Sequence, residues 1–259
     1  MKLAACVEYD GSKFHGWQIQ PGSKTVQAAI EKALSQIADH DVRVVTAGRT
    51  DTGVHACGQI VHFETHSDRS QRGWVRGTNT LLPVGVALHW VNPVPDDFHA
   101  RFKATGRHYR YVVLNRSIHP TFLDKKVTWD HRSLNIESMQ QAAFKLIGHY
   151  DFSAFRSSRC QAKTAVRDLR KLEVKQSGEW IWFDLEANAF LHHMVRNICG
   201  VLLTIGARDK KPGWASQVLE SRDRTQGGIT APANGLYLVK VDYPENYRLP
   251  NSPLACRFW

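Results

Sequence analysis

The chain has 259 residues, of which 42% are hydrophobic and 22% are charged, so it can bury a sizeable core and is not a disordered chain. Its formal net charge of +10 is unevenly distributed. Residues 1–100 carry 9 Lys and Arg against 10 Asp and Glu, a net of −1, whereas residues 101–259 carry 25 against 14, a net of +11. A basic second half favours a polyanionic partner such as nucleic acid, with a solvated basic surface as the alternative.

The cysteines and the N-terminus indicate a reduced, cytoplasmic protein. Five cysteines are scattered along the chain without any CxxC pair, which is not the pattern of a disulfide scaffold. Residues 1–8 are charged too early for a signal peptide. No apolar run approaches the roughly 20 residues of a membrane span, so we expect no membrane partner.

The first hundred residues predict strands and helices in a regular order. Alternation of apolar and polar residues predicts strands at residues 3–9, 42–46, 59–63 and 86–90, and helical spacing predicts helices at 26–37 and 71–82. Thr25 and Ser70 are the expected helix N-caps. The resulting order, β-α-β-β-α-β, is the ferredoxin-like pattern.

The second half repeats this order with additions. Strands are predicted near residues 108–113, 166–174, 180–185 and 236–241, and helices near 136–147, 191–205 and after Pro212. Gly148 is the expected C-terminal cap of the first of these helices. We therefore predict an α+β fold of two ferredoxin-like halves, joined into a central antiparallel sheet with helices on one side. The predicted lobes are residues 1–100 and 101–246, and residues 247–259 are an irregular tail.

The loop at residues 47–56, between two predicted strands, concentrates reactive side chains. Gly48 and Gly53 flank Asp51 and allow the backbone to take positive φ close to a ligand. Arg49 is expected to keep the carboxylate of Asp51 ionised. A single ionised carboxylate suggests a nucleophile or an electrostatic stabiliser, whereas a turn aspartate that bonds its own backbone is the alternative.

Asp51-Thr52-Gly53 is also the three-residue signature of aspartic proteases. The chain contains no second Asp-Thr-Gly or Asp-Ser-Gly, so the catalytic pair would require a homodimer. A three-letter motif has little specificity, and a strong basic excess does not suit such a protease. An aspartic-protease-like enzyme is therefore a remote alternative.

A longer pattern is more specific. It comprises Tyr9-Asp10-Gly11-Ser12, Gly16-Trp17-Gln18, Thr25-Val26-Gln27, the whole segment 47–56, Phe98-His99-Ala100-Arg101, Arg107-His108-Tyr109-Arg110-Tyr111, Met194-Val195-Arg196-Asn197 and Ala231-Pro232. In this order the motifs resemble the tRNA pseudouridine synthase A family, from Leu3 to about Tyr243. One departure is Thr52, where many members of that family carry Ala.

The resemblance implies a pseudouridine synthase fold and an isomerase that converts uridine to pseudouridine in the anticodon stem-loop of tRNA, at positions 38–40. It implies a homodimer and no cofactor or metal. Asp51 matches the catalytic aspartate, which attacks either C6 of the base or C1′ of the ribose. Tyr109 matches the tyrosine that packs on the target base, Arg196 the basic residue that pairs with the aspartate, and Arg49 an arginine that helps to extrude the nucleotide.

Pairs of basic residues are candidate phosphate contacts, which would position the RNA without reading its sequence. They are Arg72 with Arg76, Arg107 with Arg110, Arg156 with Arg159, and Lys210 with Lys211. His62 and His66 would stand about 13 Å apart on a strand, too far to share a metal ion. The competing hypothesis is a non-catalytic RNA-binding protein, although the chain lacks the aromatic RNP1 pattern of an RRM.

Overall fold

The structure is a computed structural model that describes residues 1–250 and 256–258. The chain forms two compact units. The first comprises Met1–Thr105 with the described residues of Tyr237–Cys256, and the second comprises Gly106–Leu236 with the described residues of Arg257–Trp259. Within the described part of the chain, no helix combines the length and the apolar character needed to cross a bilayer.

The first unit alternates strands and two helices along the chain. Its elements are β1 (Lys2–Tyr9), α1 (Val26–Ala38), β2 (Val45–Thr46), β3 (His55–Glu64), α2 (Gln71–Leu81) and β4 (Val86–Pro93). β1 lies between β3 and β4 and is antiparallel to both, while β2 pairs with β3. The predicted β-α-β-β-α-β order of residues 1–100 is confirmed.

The second unit is a four-stranded antiparallel sheet with helices and one additional short strand. Its elements are β5 (Gly106–Asn115), β6 (Thr128–Asp130), α3 (Ile136–Phe144), β7 (Gly148–Asp151), β8 (Val166–Ser177), β9 (Trp180–Ala187), α4 (Met194–Gly206) and α5 (Trp214–Ser221). The sheet order is β5-β9-β8-β7, and β6 pairs in parallel with β5. Both units mix helices with mostly antiparallel strands, which confirms the predicted α+β class.

The last strand returns to the first unit. In β10 (Leu236–Asp242), Tyr237 lies opposite His55 and Leu238 opposite Ala56 in a parallel ladder with β3. The first unit is therefore completed by residues that are distant in sequence. The boundaries of the two predicted lobes stay a prediction. The predicted tail, residues 247–259, begins with the buried Tyr247, whose hydroxyl donates to Asp97 Oδ2 at 2.8 Å, and residues 251–255 and 259 lie outside the described residues.

The helix N-caps are as predicted, but one helix C-cap is not. Thr25 Oγ1 accepts the N–H of Ala28 at 3.4 Å, and Ser70 Oγ accepts that of Gly73 at 3.0 Å. The prediction that Gly148 caps α3 is wrong, because α3 ends at Phe144 with Lys145 as its cap, and Gly148 (φ 141°) begins β7.

A buried carboxylate on α1 holds the chain that leads into β2. Glu31 is only 5% exposed. Its Oε1 accepts the N–H of Val44 at 3.0 Å, and its Oε2 accepts from Arg43 Nη1 at 2.8 Å. The buried charge is thus paired and hydrogen-bonded, as a buried carboxylate requires. This contact fixes where β2, and the loop after it, begin.

The helix α4 lies directly against the segment around Ile229. A Cβ added to Gly200 would stand 2.0 Å from the carbonyl oxygen of Ile229. From the preceding turn of α4, Asn197 Oδ1 accepts from Thr230 Oγ1 at 2.7 Å, and Asn197 Nδ2 donates to the carbonyl of Phe155 at 2.7 Å. The glycine therefore permits the close approach that these hydrogen bonds need.

We predict that Gly200→Ala destabilises the protein, although alanine favours a helix interior by about 1 kcal/mol. The new methyl group would meet the Ile229 carbonyl, and forcing atoms into a packed core costs roughly 1–3 kcal/mol. Urea unfolding measures the difference. Gly213→Ala is the control, since nothing lies within 4 Å of its added Cβ. A Gly200→Ala variant as stable as the wild type would contradict this packing.

Candidate active site

The loop that carries Asp51 is fixed by backbone hydrogen bonds at its ends and in its middle. The N–H of Ala47 donates to the carbonyl of Ile60 at 2.8 Å, and that of Val54 donates to the carbonyl of Asp51 at 3.1 Å. The N–H of Trp17 donates to the carbonyl of Thr50 at 3.0 Å. Asp51 itself is half-buried. Its backbone is therefore held while its side chain keeps some access to solvent.

A buried chain of polar side chains lies beneath this loop. Tyr9 Oη and Thr50 Oγ1 share a hydrogen bond of 2.8 Å, and Gln59 Nε2 donates to Tyr9 Oη at 3.4 Å and to the carbonyl of Gly48 at 2.7 Å. Burial raises the pKa of Tyr9 to about 12, so its hydroxyl keeps its proton at neutral pH. Tyr9 can then accept from Gln59 and donate to Thr50. Sequence reasoning did not find Thr50 or Gln59, because hydroxyl and amide side chains carry no periodic signal.

The turn after β1 packs against the same loop through two glycines. A Cβ on Gly11 would lie 1.9 Å from the carbonyl oxygen of Val54, and one on Gly16 (φ +76°) would lie 2.9 Å from that of Thr50. No other residue fits such an approach. The motifs around Gly11 and Gly16 thus support the Asp51 loop from the side.

Of the two glycines predicted to take positive φ beside Asp51, Gly53 does so and Gly48 does not. Gly53 has a φ of 83°, as expected for a glycine that turns the chain after Asp51. Gly48 does not belong to the glycines with positive φ, and nothing lies within 4 Å of its added Cβ. The prediction that Gly48 supplies positive φ is therefore wrong. Gly48 contributes its backbone carbonyl, which accepts a hydrogen bond from Gln59.

His55 ties the end of the loop to the turn after β1. Its Nδ1 accepts the N–H of Gly11 at 3.1 Å and lies 3.3 Å from Asp10 Oδ1. Its ring stacks on Tyr237 of β10, with ring centroids 4.6 Å apart at 18°. Burial raises the pKa of Tyr237, so this ring stays neutral. The imidazole at the start of β3 is thus a structural support.

Arg49 forms no ion pair with Asp51 within the described part of the chain. Its side chain is exposed and, among residues 1–250 and 256–258, forms no hydrogen bond or ion pair. Thr50, between the two, is 7% exposed and turns inward to Tyr9. The expectation that Arg49 keeps Asp51 ionised stays a prediction. Its role toward a substrate stays a prediction.

The second unit carries the other two predicted catalytic residues. Tyr109, on β5, is half-buried, and its ring meets Phe190 edge-on, with centroids 5.1 Å apart at 86°. Arg196 lies in the first turn of α4, where its Nε donates to the carbonyl of Ala231 at 2.8 Å. The N–H of Ala231 donates back to the carbonyl of Arg196 at 3.1 Å. The pairing of Arg196 with Asp51 stays a prediction.

The candidate phosphate contacts differ in how much of their charge is compensated. Arg110 is held by a two-point ion pair with Asp184, its cross-strand neighbour on β9, at 2.7 and 3.0 Å. Arg107 Nη1 donates to the carbonyl of Asn188 at 2.7 Å. Arg72 and Arg76 are exposed on α2, and neither guanidinium has an ion-pair partner within the described part of the chain. Arg72 and Arg76 are thus better placed to attract phosphate.

His62, on β3, is buried and neutral. Its Nδ1 accepts the N–H of Ala100 at 3.1 Å, and its ring lies 4.9 Å from that of His99. Burial, with His99 and Lys2 nearby, lowers the pKa of His62 to about 4. Protonation would also remove the acceptor that the Ala100 N–H uses.

We predict that Thr50→Val destabilises the protein by roughly 1–3 kcal/mol, because it leaves the buried Tyr9 hydroxyl without its acceptor. Thr50→Ser keeps the hydroxyl and is the matched control, with a smaller loss. Urea unfolding of the two variants measures the difference. Equal stability of the valine and serine variants would show that the Tyr9–Thr50 hydrogen bond does not hold the loop.

We predict that stability falls as the pH drops from 6.5 to about 4, because an ordinary histidine titrates near 6.5 whereas folded His62 resists its proton. The contribution of neutral His62 to the free energy of unfolding is complete above pH 6.5. It decreases by at most ~3 kcal/mol as the pH falls to the pKa of His62 in the folded protein. His62→Gln cannot titrate, so the stability difference between wild type and this variant should change with pH over this window. A difference that is constant with pH would contradict the buried, neutral His62.

Comparison with known proteins agrees with the motifs. A family model described as tRNA pseudouridine synthase matches residues 5–103 and 142–244. A protein named tRNA pseudouridine synthase A from Nitrosococcus oceani is 51% identical over 259 residues, covering 100% of both chains. Proteins with the same name are 53% identical in Pseudoalteromonas atlantica, over 100% of this chain and 98% of that protein, and 51% identical in Alcanivorax borkumensis, over 98% and 96%.

The matched segments include the Asp51 loop and all of α4, which carries Arg196, whereas β5, which carries Tyr109, lies between them. Because the family model matches more than half of the chain and the relatives align along almost their whole length, the similarity extends over the chain and is not confined to one motif. The chain belongs to the tRNA pseudouridine synthase A family.

Proposed function

We propose that this protein isomerises uridine to pseudouridine in tRNA, and that its targets are uridines at positions 38–40 of the anticodon stem-loop. The observation that supports this most is Asp51. A single half-buried carboxylate stands on a loop that buried hydrogen bonds fix from below, in a chain of this family. Such a group suits attack on a substrate held in place.

The reaction exchanges one bond for another within the same nucleotide. The glycosidic bond between N1 and C1′ breaks, C5 of the base bonds to C1′, and the proton that leaves C5 is balanced by one gained at N1. No atom is gained or lost overall. We propose that Asp51 acts as the nucleophile in this exchange and that the protein uses no cofactor or metal.

The roles proposed for the remaining residues are those that the family resemblance implies, and the chemistry of their side chains is consistent with them. A base inside a stem must be flipped out before a carboxylate can reach it. We propose that Arg49, whose exposed guanidinium is uncommitted, helps to extrude the nucleotide, and that Tyr109 packs on the flipped base. Arg196, oriented by the Ala231 carbonyl, is proposed to pair with the carboxylate of Asp51.

Binding of the tRNA is proposed to rest on basic side chains that contact its phosphates. Arg72 and Arg76 are the stronger candidates for phosphate contacts. Arg110 is a weaker candidate because Asp184 compensates its charge, and Arg107 is weaker because its guanidinium already donates to the carbonyl of Asn188. We further propose that the protein works in the cytoplasm as a homodimer. The relatives carry an enzyme's name, which disfavours both the non-catalytic RNA-binding and the aspartic-protease-like alternatives.

The test is pseudouridine mapping in unmodified tRNA incubated with the wild type, Asp51→Asn and Asp41→Asn. We expect conversion at positions 38–40 by the wild type and a rate at least about a thousandfold lower for Asp51→Asn, since loss of a nucleophile has effects of this size or larger. Asp41 is exposed, so its variant should match the wild type.

Each result bears on a different part of the proposal. Binding of tRNA without any pseudouridine would refute the enzymatic function. Full activity of Asp51→Asn would refute the role of Asp51. Pseudouridine formed in a tRNA whose positions 38–40 hold only cytidine would refute the proposed target positions.

A further inference from the structure

The turn Phe98–Lys103, after β4 in the first unit, presents an aromatic ring to solvent. The side chain of Phe102 is 74% exposed. Single exposed phenylalanines are common and need no explanation. Phe122 and Phe144 are exposed as well, at 87% and 77%. Phe102 differs from these two in what surrounds it.

Phe102 is held in a defined orientation by its neighbours. Its ring stacks on the imidazole of His99, with centroids 4.3 Å apart at 28°. The guanidinium carbon of Arg101 lies 5.6 Å from the ring centroid. Within the described residues, neither Phe122 nor Phe144 has a ring or cation partner. The Phe102 ring is therefore exposed and also oriented in advance.

The turn itself is tightly fixed. The N–H groups of Arg101 and Phe102 both donate to His99 Nδ1 at 3.2 Å, and the N–H of Lys103 donates to the His99 carbonyl at 3.0 Å. On its inner side, the carbonyl of Ala100 accepts from the Tyr243 hydroxyl at 2.6 Å. Little conformational freedom remains to be lost when a ligand contacts this turn.

The cluster combines a neutral aromatic pair with a cation. Partial burial, with Lys2 nearby, lowers the pKa of His99, so the imidazole is neutral at physiological pH and can accept both N–H groups. The positive charge comes from Arg101, which is exposed. An aromatic face beside a guanidinium is the combination with which proteins hold unpaired nucleotides, since the base stacks and the guanidinium meets the phosphate or the base.

We propose that Phe102, supported by His99 and Arg101, is a stacking site for an unpaired base of the bound tRNA, separate from the target uridine. RNA is the occupant that fits, because an unpaired base can stack on the exposed ring and the exposed Arg101 beside it can meet the phosphate. The identity of the RNA as tRNA rests on the proposed function. The stacking chemistry rests on the turn alone.

The test measures the dissociation constant for unmodified tRNA with the full chain and three variants. Phe102→Ala removes the ring and should weaken binding on the order of tenfold, as loss of one base–aromatic stack does. Phe102→Trp keeps an aromatic face and should bind within about threefold of the wild type. Phe144→Ala is the control, because it removes an equally exposed ring without these neighbours, and should bind like the wild type.

The outcomes separate this proposal from the proposed function. If the wild type forms pseudouridine and Phe102→Ala binds tRNA as tightly as the wild type does, the stacking site is refuted and the function stands. If no pseudouridine forms but Phe102→Ala weakens RNA binding and Phe144→Ala does not, the function fails and the stacking site is supported. If Phe102→Ala changes the oligomeric state and leaves tRNA affinity unchanged, the surface is a protein interface and the proposal is refuted.

Discussion

The hydrogen bond between Tyr9 and Thr50 is the contact on which the arrangement of the first unit's site depends. It joins β1 to the loop before Asp51 in an environment where neither hydroxyl has water as a substitute partner. Gln59 extends the contact to the carbonyl of Gly48, and the turn after β1 presses on the loop from the side at Gly11 and Gly16. Asp51 is thus presented by a scaffold rather than by a flexible turn, which lowers the cost of placing a carboxylate against a substrate.

In the second unit, Arg196 is oriented by hydrogen bonds and close packing around the start of α4. Arg196 begins a helix whose first turn is hydrogen-bonded in both directions to Ala231, and Gly200 lets the same segment lie directly on the helix. Asn197, 1% exposed, adds side-chain bonds to Thr230 and to the carbonyl of Phe155. An arginine restrained in this way can meet a carboxylate or a phosphate with little further loss of side-chain entropy.

Much of this could be predicted from the sequence, and the failures have physical causes. The caps at Thr25 and Ser70 and the helix faces follow local rules, and Asp51 stands in a long, ordered set of motifs. β6 and β7 were missed because strands of 3 and 4 residues are too short for alternation to register. The Tyr9–Thr50 bond and the return of β10 to β3 depend on residues far apart in sequence, which no local pattern encodes. Whether Arg49 pairs with Asp51 could not be read from the sequence, because adjacency in sequence does not set the direction of a side chain.

The central claim is that the buried Tyr9–Thr50 contact holds Asp51 in a reactive position. The most direct measurement is the single-turnover rate of pseudouridine formation at saturating enzyme for Thr50→Val and Thr50→Ser, together with their tRNA affinities, under conditions where both variants are folded. The account predicts a slower rate for Thr50→Val, a rate near that of the wild type for Thr50→Ser, and unchanged affinity for both. A Thr50→Val enzyme that reacts as fast as the wild type would contradict it.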